Sequence, residues 1–161
     1  MSKKLLIAAA TCLVGGLSLA QTPAPATAPV AVSPTAMVTG PARTAAPAGA
    51  KVYIVGLADG ATVKSPVTIV FGLSGMGVAP AGVQFQNAGH HHLLIDADLP
   101  ADMGLPLPKT DNIRHFGNGQ TEASIELKPG KHTLQLVLGD HNHVPFLPAV
   151  VSQKISITVA P

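Results

Sequence analysis

The chain has 161 residues, in which 10 lysines and arginines stand against 8 aspartates and glutamates, and it contains one cysteine, Cys12. A charge balance this even excludes the clustered positive surface that nucleic-acid-binding domains need. Disulfides, thiolate nucleophiles and cysteine-ligated metal sites are excluded as well, because Cys12 lies in a segment that we expect to be removed.

Residues 1–20 have the composition of a secretory signal peptide. Lys3 and Lys4 give it a positive start, an apolar stretch follows, and Ser18 to Ala20 form a small-x-small cleavage signal. The apolar stretch is too short for a convincing transmembrane helix. Cleavage after Ala20 would leave eight basic against eight acidic residues. We therefore expect a periplasmic or secreted protein with no membrane insertion after cleavage, and an uncleaved anchor is the alternative.

Residues 21–50 have the composition of a linker. Six prolines interrupt a tract rich in alanine and threonine, and Arg43 is its one charged residue. Such a tract cannot bury enough apolar surface to offset the entropy lost on ordering. We expect a disordered spacer between the signal peptide and a folded domain.

Residues 51–160 have the pattern of an all-β domain, because short apolar runs alternate with turns rich in glycine, proline and aspartate. No segment of ten or more residues shows helical spacing with caps. The predicted strands are 51–55, 66–73, 90–97, 122–127, 132–138 and 152–159. About seven short strands in a domain of this size predict a single immunoglobulin-like β-sandwich. A cupredoxin-like barrel is the competing architecture.

The histidines are concentrated in one half of this domain, since all seven lie between residues 90 and 143. Three of them, His90, His91 and His92, begin the predicted strand 90–97. Alternating residues of a strand point to opposite faces, so His91 is expected to face the core while His90 and His92 share the other face. Two imidazoles at this spacing are close enough to bind one metal ion. A packed or solvated histidine pair is the alternative.

A second pair with the same spacing, His141 and His143, follows the predicted strand 132–138. His115 lies in a glycine-containing loop that can approach both pairs. We predict that these three histidines, together with His90 and His92, bind a metal ion. Metal-bound imidazoles usually donate their second N–H to a carboxylate or carbonyl. We assign that role to two carboxylates beside the clusters, Asp96 and Asp140. An aspartate turn that closes the loop is the alternative for Asp140.

Two histidines are expected to be structural rather than metal ligands. His91 is predicted to be a neutral core residue with both ring nitrogens hydrogen-bonded. His132 follows the turn Pro129–Gly130, near the position of the tyrosine in the tyrosine corner of sandwich domains, and is predicted to anchor that turn.

Four segments carry a resemblance to a known family. They are GHHHLLID at 89–96, HFGNGQTE at 115–122, PGKHTLQL at 129–136 and LGDHNHVP at 138–145. In this order they resemble the bacterial family catalogued as domain of unknown function 4399, and the resemblance covers essentially residues 51–160. It implies an exported single-domain protein and no established activity.

The favoured function is binding of a transition metal, copper or zinc, for storage, delivery or resistance. The Irving–Williams order favours copper where supply is equal. The partners would be the metal ion and another periplasmic protein. A module without metal is the main alternative, with the histidines and Asp96, Asp98 and Asp140 in a buried polar network. No catalytic or cofactor-binding residue is assigned, since no nucleophile elbow, phosphate loop or zinc-protease helix is present. A metal-dependent enzyme is the third possibility.

Overall fold

The computed structural model describes residues 43–161, so the predicted signal peptide and residues 21–42 of the predicted linker lie outside the described part. Residues 43–161 contain nine strands and no helix. The strands are β1 (Lys51–Val55), β2 (Thr62–Val63), β3 (Val67–Ser74), β4 (Gly77–Val78), β5 (Ala88–Ile95), β6 (Ile113–Phe116), β7 (Glu122–Ile125), β8 (Gly130–Gly139) and β9 (Ile155–Val159). Within this part of the chain, no helix is long and apolar enough to cross a membrane.

The strands form two sheets. The smaller sheet has the order β1-β3-β7, and the larger has the order β2-β9-β8-β5-β4 with β6 paired to β5. The two sheets share one apolar core, in which Ile69 and Phe71 of the smaller sheet pack with Leu93, Leu136 and other residues of the larger. The predicted all-β sandwich is confirmed, and the sheets do not close into a barrel.

Alternation along β5 and β8 produces this core. The register pairs Leu93 with Leu136 and Ile95 with Leu134, so the apolar residues of both strands point to the smaller sheet. Burying each of these side chains stabilises the fold by about 1.5–3 kcal/mol. His91 lies on the same face, with its ring 5.1 Å from that of Phe71.

The other face of β5 is also covered. All eight residues of β5 are buried, and Leu94 packs with Leu107, Ile113 and Val137 in a second, smaller apolar cluster. Leu107 belongs to the long connection between β5 and β6, which folds over this face of the sheet. His90 and His92 therefore lie in an enclosed space rather than on an open sheet surface.

The strand β6 was not predicted, because it lies in a passage rich in proline and glycine that resembles a loop. Its pairing with β5 places Ile113 in the second cluster and Phe116 against Phe71 in the main core. These two tertiary anchors outweigh the weak strand propensity of the surrounding sequence. The two-residue strands β2 and β4 were also not predicted.

The packed domain begins before Lys51. Ala45, which was assigned to the linker, forms a parallel bridge with Leu147, and the Ala46 N–H donates to the Leu147 carbonyl over 2.9 Å. Ala46 and Ala50 also pack against the main core. Residues 43–50 are thus part of the domain surface, because backbone pairing compensates for their low apolar content.

Candidate metal centre

Two paired strands hold three of the predicted ligand histidines. His92 on β5 is the direct register partner of His115 on β6, and His90 lies two residues before His92 on the same face. The ring centroids of His90 and His92 are 4.8 Å apart, and both lie about as close to His115, at 4.9 and 5.2 Å. One nitrogen of each ring lies within 4.8 Å of the corresponding nitrogens of the other two.

A fourth imidazole, that of His143, completes the group from a turn. The strand β8 ends at Gly139, and the chain reverses so that Gly139 pairs again with Pro145. His143 has a positive φ of 67°, which is uncommon for a residue with a side chain. Its ring lies 4.9 Å from that of His90 and 4.7 Å from that of His115. The two histidine clusters of the sequence therefore meet in space.

Five ring nitrogens at this centre lack hydrogen-bond partners among residues 43–161. The side chains of His90 and His92 are 0% and 1% exposed, and neither nitrogen of either ring has a partner among the described residues. The same holds for Nε2 of His115. Leaving a buried polar atom unpaired costs about 1–3 kcal/mol, so five such atoms in one place need a compensating interaction.

The distances suit a shared ion after a small adjustment. Zinc–nitrogen bonds measure about 2.0–2.1 Å, so two nitrogens on one ion are at most about 4 Å apart. The ring nitrogens of His90, His92 and His115 lie within 4.8 Å of one another. Side-chain rotations that move these atoms by less than about 1 Å would bring them to the distances that one ion requires. The set formed by His90, His92 and His115 could hold a metal ion.

Two glycines provide the space for these rings. A Cβ on Gly139 would lie 2.8 Å from Cε1 of His92, and a Cβ on Gly117 would overlap the ring of His115. Real Cβ atoms do not approach other atoms this closely, so any larger residue would displace an imidazole. Neither glycine was singled out from the sequence as a site residue, although Gly139 ends β8, Gly117 follows β6, and both lie within the segments that resemble the family.

Burial keeps the imidazoles of His90, His92 and His115 neutral. Burial, followed by repulsion from the other histidines, lowers the pKa of His92 to about 2. Burial and repulsion from His143 and His115 lower the pKa of His90 to about 4, against a smaller opposing effect of Asp140. Burial also lowers the pKa of His115. Neutral imidazole is the form that binds metals, so these three side chains need release no proton at neutral pH.

Asp140 has a different role from the predicted one. Its carboxylate accepts hydrogen bonds from the backbone N–H groups of Asn142 and Val144, over 2.9 and 3.0 Å, and from the hydroxyl of Thr44 over 2.7 Å. No histidine ring is among its hydrogen-bond partners in the described part. The carboxylate is 4% exposed and shapes the turn that carries His143, so the aspartate-turn alternative is the correct one.

Asp96 lies at the other end of β5, away from the four imidazoles. It accepts a hydrogen bond from the Thr133 N–H and pairs with Nδ1 of His132 over 2.7 Å. The predicted contact of Asp96 with a ligand histidine is therefore wrong. Strand alternation predicts the face on which a side chain lies, and it does not predict which neighbours the side chain contacts at the end of the strand. Nε2 of His132 contacts the Lys128 carbonyl at 2.9 Å, as expected for a residue that anchors this turn.

The two remaining histidines, His141 and His91, lie outside the group of four rings. The ring of His141 contacts the Asn142 side chain at 3.0 Å and is not part of the group of four rings. His91 is buried in the main core, where Nδ1 lies 3.3 Å from the Gln120 carbonyl. Its Nε2 has no partner among residues 43–161, so only one of its two predicted hydrogen bonds is present. The second predicted pair, His141 and His143, was expected directly after the strand 132–138 and lies in the turn that follows β8.

The comparisons with known proteins agree with the resemblance seen in the sequence. The family model described as Domain of unknown function (DUF4399) matches residues 69–160, which include β5 to β9 and all four clustered histidines. Comparison with curated proteins and with solved structures found no match. The match covers more than half of the chain, and the chain belongs to this family of domains of unknown function.

Proposed function

We propose that the domain binds one divalent transition-metal ion, copper or zinc, between His90, His92, His115 and His143. The observation that carries the proposal is the group of unpartnered, fully buried ring nitrogens on His90 and His92. A metal ion bound there would use the lone pairs that nothing else in the described part uses. Asp140, which lies close enough to His90 to raise its pKa, adds a favourable negative charge.

The ligand chemistry favours copper(II) and zinc over other ions. Imidazole nitrogen suits both, and the Irving–Williams order places copper(II) above the other divalent ions of the first row. Magnesium and calcium prefer oxygen ligands, which these four side chains do not offer.

The number and burial of the ligands favour storage, delivery or resistance over catalysis. A catalytic zinc site keeps one coordination position open for water or substrate, whereas four protein ligands fill a tetrahedral site. Here the ring of His143 packs against those of His90 and His115, so it is the fourth ligand of the proposed site; His90 and His92 are buried, and His115 and His143 are half-buried. This centre can retain an ion, and the half-buried pair offers the route by which it would enter or leave.

Metal titration of the full chain tests the proposal directly. Calorimetric titration with zinc and with copper(II) should give one ion per chain, and the double variant His90→Ala/His92→Ala should lose this binding. His141→Ala is the matched control, because it removes a neighbouring histidine that lies outside the four rings. Equal binding by the wild type and the double variant would refute the proposal.

A variant that conserves volume separates metal binding from a purely structural network. If the histidines only stabilise the fold, the wild type binds neither ion and His92→Leu unfolds at lower urea concentration. If they bind metal, His92→Leu folds at least as well as the metal-free wild type, because the nitrogens that it removes have no hydrogen bonds to lose within the described residues. Alanine variants do not separate the two functions by stability, since the cavity left by the deleted rings lowers stability in both cases.

Export belongs to the same proposal and has its own test. It is supported by the signal-peptide pattern of residues 1–20. Protein recovered from the periplasm or the medium should begin at Gln21 on N-terminal sequencing. Recovery of the intact chain in the cytoplasm would contradict the proposal.

A further inference from the structure

We propose that Thr44 is a positioning residue for His143, and that the segment before β1 thereby sets how tightly the centre holds its metal. This inference rests on the proposed function and extends it to residues outside the centre. Thr44 reaches no imidazole itself. It would act through Asp140 and the turn that Asp140 shapes.

The contact between Thr44 and Asp140 is the first step. The Thr44 hydroxyl donates to Oδ2 of Asp140 over 2.7 Å, while Oδ1 accepts the N–H groups of Asn142 and Val144. The residues that flank His143 on both sides are therefore tied to one carboxylate. Thr44 fixes the second oxygen of that carboxylate, and hence its rotation.

Arg43 and Ala45 tie the far side of the same turn. The Arg43 guanidinium donates to the carbonyls of Pro145, over 3.0 Å, and of Phe146. The Leu147 N–H donates to the Thr44 carbonyl over 2.9 Å, and Ala45 forms a parallel bridge with Leu147. Three consecutive residues of the segment thus contact the chain on either side of His143.

His143 is the ligand that depends most on such support. His90, His92 and His115 lie on paired strands, which fix their positions through the sheet. His143 lies in a turn, is half-buried and has a φ of 67°. A residue in this conformation is retained only where its surroundings hold it. Loosening the turn should therefore weaken the fourth bond and leave the other three unchanged.

A pair of substitutions at Thr44 tests the hydroxyl. Thr44→Val keeps the shape and removes the donor, whereas Thr44→Ser keeps the donor. Removing a residue that supports a metal ligand typically lowers affinity by about 10–100-fold. We expect zinc affinity of the full chain to fall by that factor in T44V, and zinc transfer to a competing chelator to become faster. T44S should retain wild-type values.

The variant His143→Ala is the control that distinguishes loss of positioning from a general loss of stability. In the H143A background, T44V should cause no further loss of zinc affinity, because the ligand that it positions is gone. Arg43→Ala provides an independent variant, and it should weaken binding only when His143 is present. Urea unfolding of the metal-free variants confirms that each one is folded.

Two results would overturn the inference. One is unchanged zinc affinity and release rate in T44V and R43A. The other is an equal loss of affinity in T44V with and without His143. Both outcomes presuppose that the wild type binds zinc, so they are distinct from failure of the proposed function, in which the wild type itself binds neither zinc nor copper.

Discussion

His92 and His115 face each other as register partners on adjacent antiparallel strands, with their ring centroids 5.2 Å apart. The backbone pairing of β5 with β6 places these two imidazoles side by side. Ligands that are held in place before binding lose little conformational entropy on binding. The centre is therefore built into the sheet, and only His143 depends on a turn.

The first prediction concerns the space beside His92. Gly139→Ala would place a Cβ 2.8 Å from Cε1 of His92, so the ring or the strand end must move. We expect a loss of about 1–3 kcal/mol in the free energy of unfolding of the metal-free protein, as is typical of overpacking. Metal affinity should also fall, since His92 can no longer keep its position.

Gly77→Ala is the matched control for this variant. A Cβ at Gly77 would lie 3.7 Å from the Cβ of Ala88, an ordinary contact, so both quantities should stay near the wild-type values. Urea unfolding and calorimetric metal titration measure the two effects. If G139A and G77A behave alike, the glycine does not serve to accommodate His92.

The second prediction follows from the lowered pKa values of His90 and His92. In the folded protein these values are about 4 and about 2, whereas an unfolded histidine has a pKa near 6.5. Between about pH 6.5 and 4 the unfolded chain therefore binds more protons than the folded chain. Stability that is fully present above pH 6.5 should be lost as the pH falls through this window.

Urea unfolding of metal-free protein at several pH values between 7.5 and 4.5 checks this slope. The double variant His90→Ala/His92→Ala should show a flatter dependence, because it removes two of the groups with lowered pKa values. An equally steep loss of stability in that variant would assign the effect to other groups.

Part of this arrangement follows from the sequence and part does not. Strand alternation correctly placed His91 on the face of the main core and His90 and His92 on the opposite face, because the period of two depends only on local geometry. The choice between His141 and His143 could not be predicted, since the turn after Gly139 and the positive φ of His143 decide it. The turn involves the contacts of Asp140 with the Asn142 and Val144 N–H groups, and Thr44, which is distant in sequence, donates to the same carboxylate.

The same contrast appears at the strand level. The apolar runs of β1, β3 and β8 carry their own signal, and their predicted positions agree with the structure to within a few residues. The strand β6 has no such signal, since it depends on its pairing with β5. His115 was therefore expected in a loop, although it lies on a strand.

The third prediction concerns His132 and Asp96, whose contact raises the pKa of His132. The stability from this contact is fully present below about pH 6.5 and is lost as the pH rises through the raised value in the folded state. The pair is partly exposed, so we expect a contribution of about 0.2–1 kcal/mol. His132→Gln should remove this pH dependence while leaving metal affinity unchanged, which unfolding and titration would measure.

The fourth prediction is that His92→Leu stabilises the metal-free protein and abolishes tight metal binding. Leucine has a similar size, would lie next to Val137 of the second apolar cluster, and removes the two unpaired buried nitrogens of His92. Removing an unsatisfied buried polar group should increase the free energy of unfolding by about 1–3 kcal/mol. With zinc at about 1,000 times its dissociation constant, bound metal should stabilise the wild type by about 4 kcal/mol. The wild type should then be more stable than H92L. Thermal unfolding with and without zinc measures both differences, and a metal-free H92L less stable than the wild type would show that His92 supports the fold through hydrogen bonds instead.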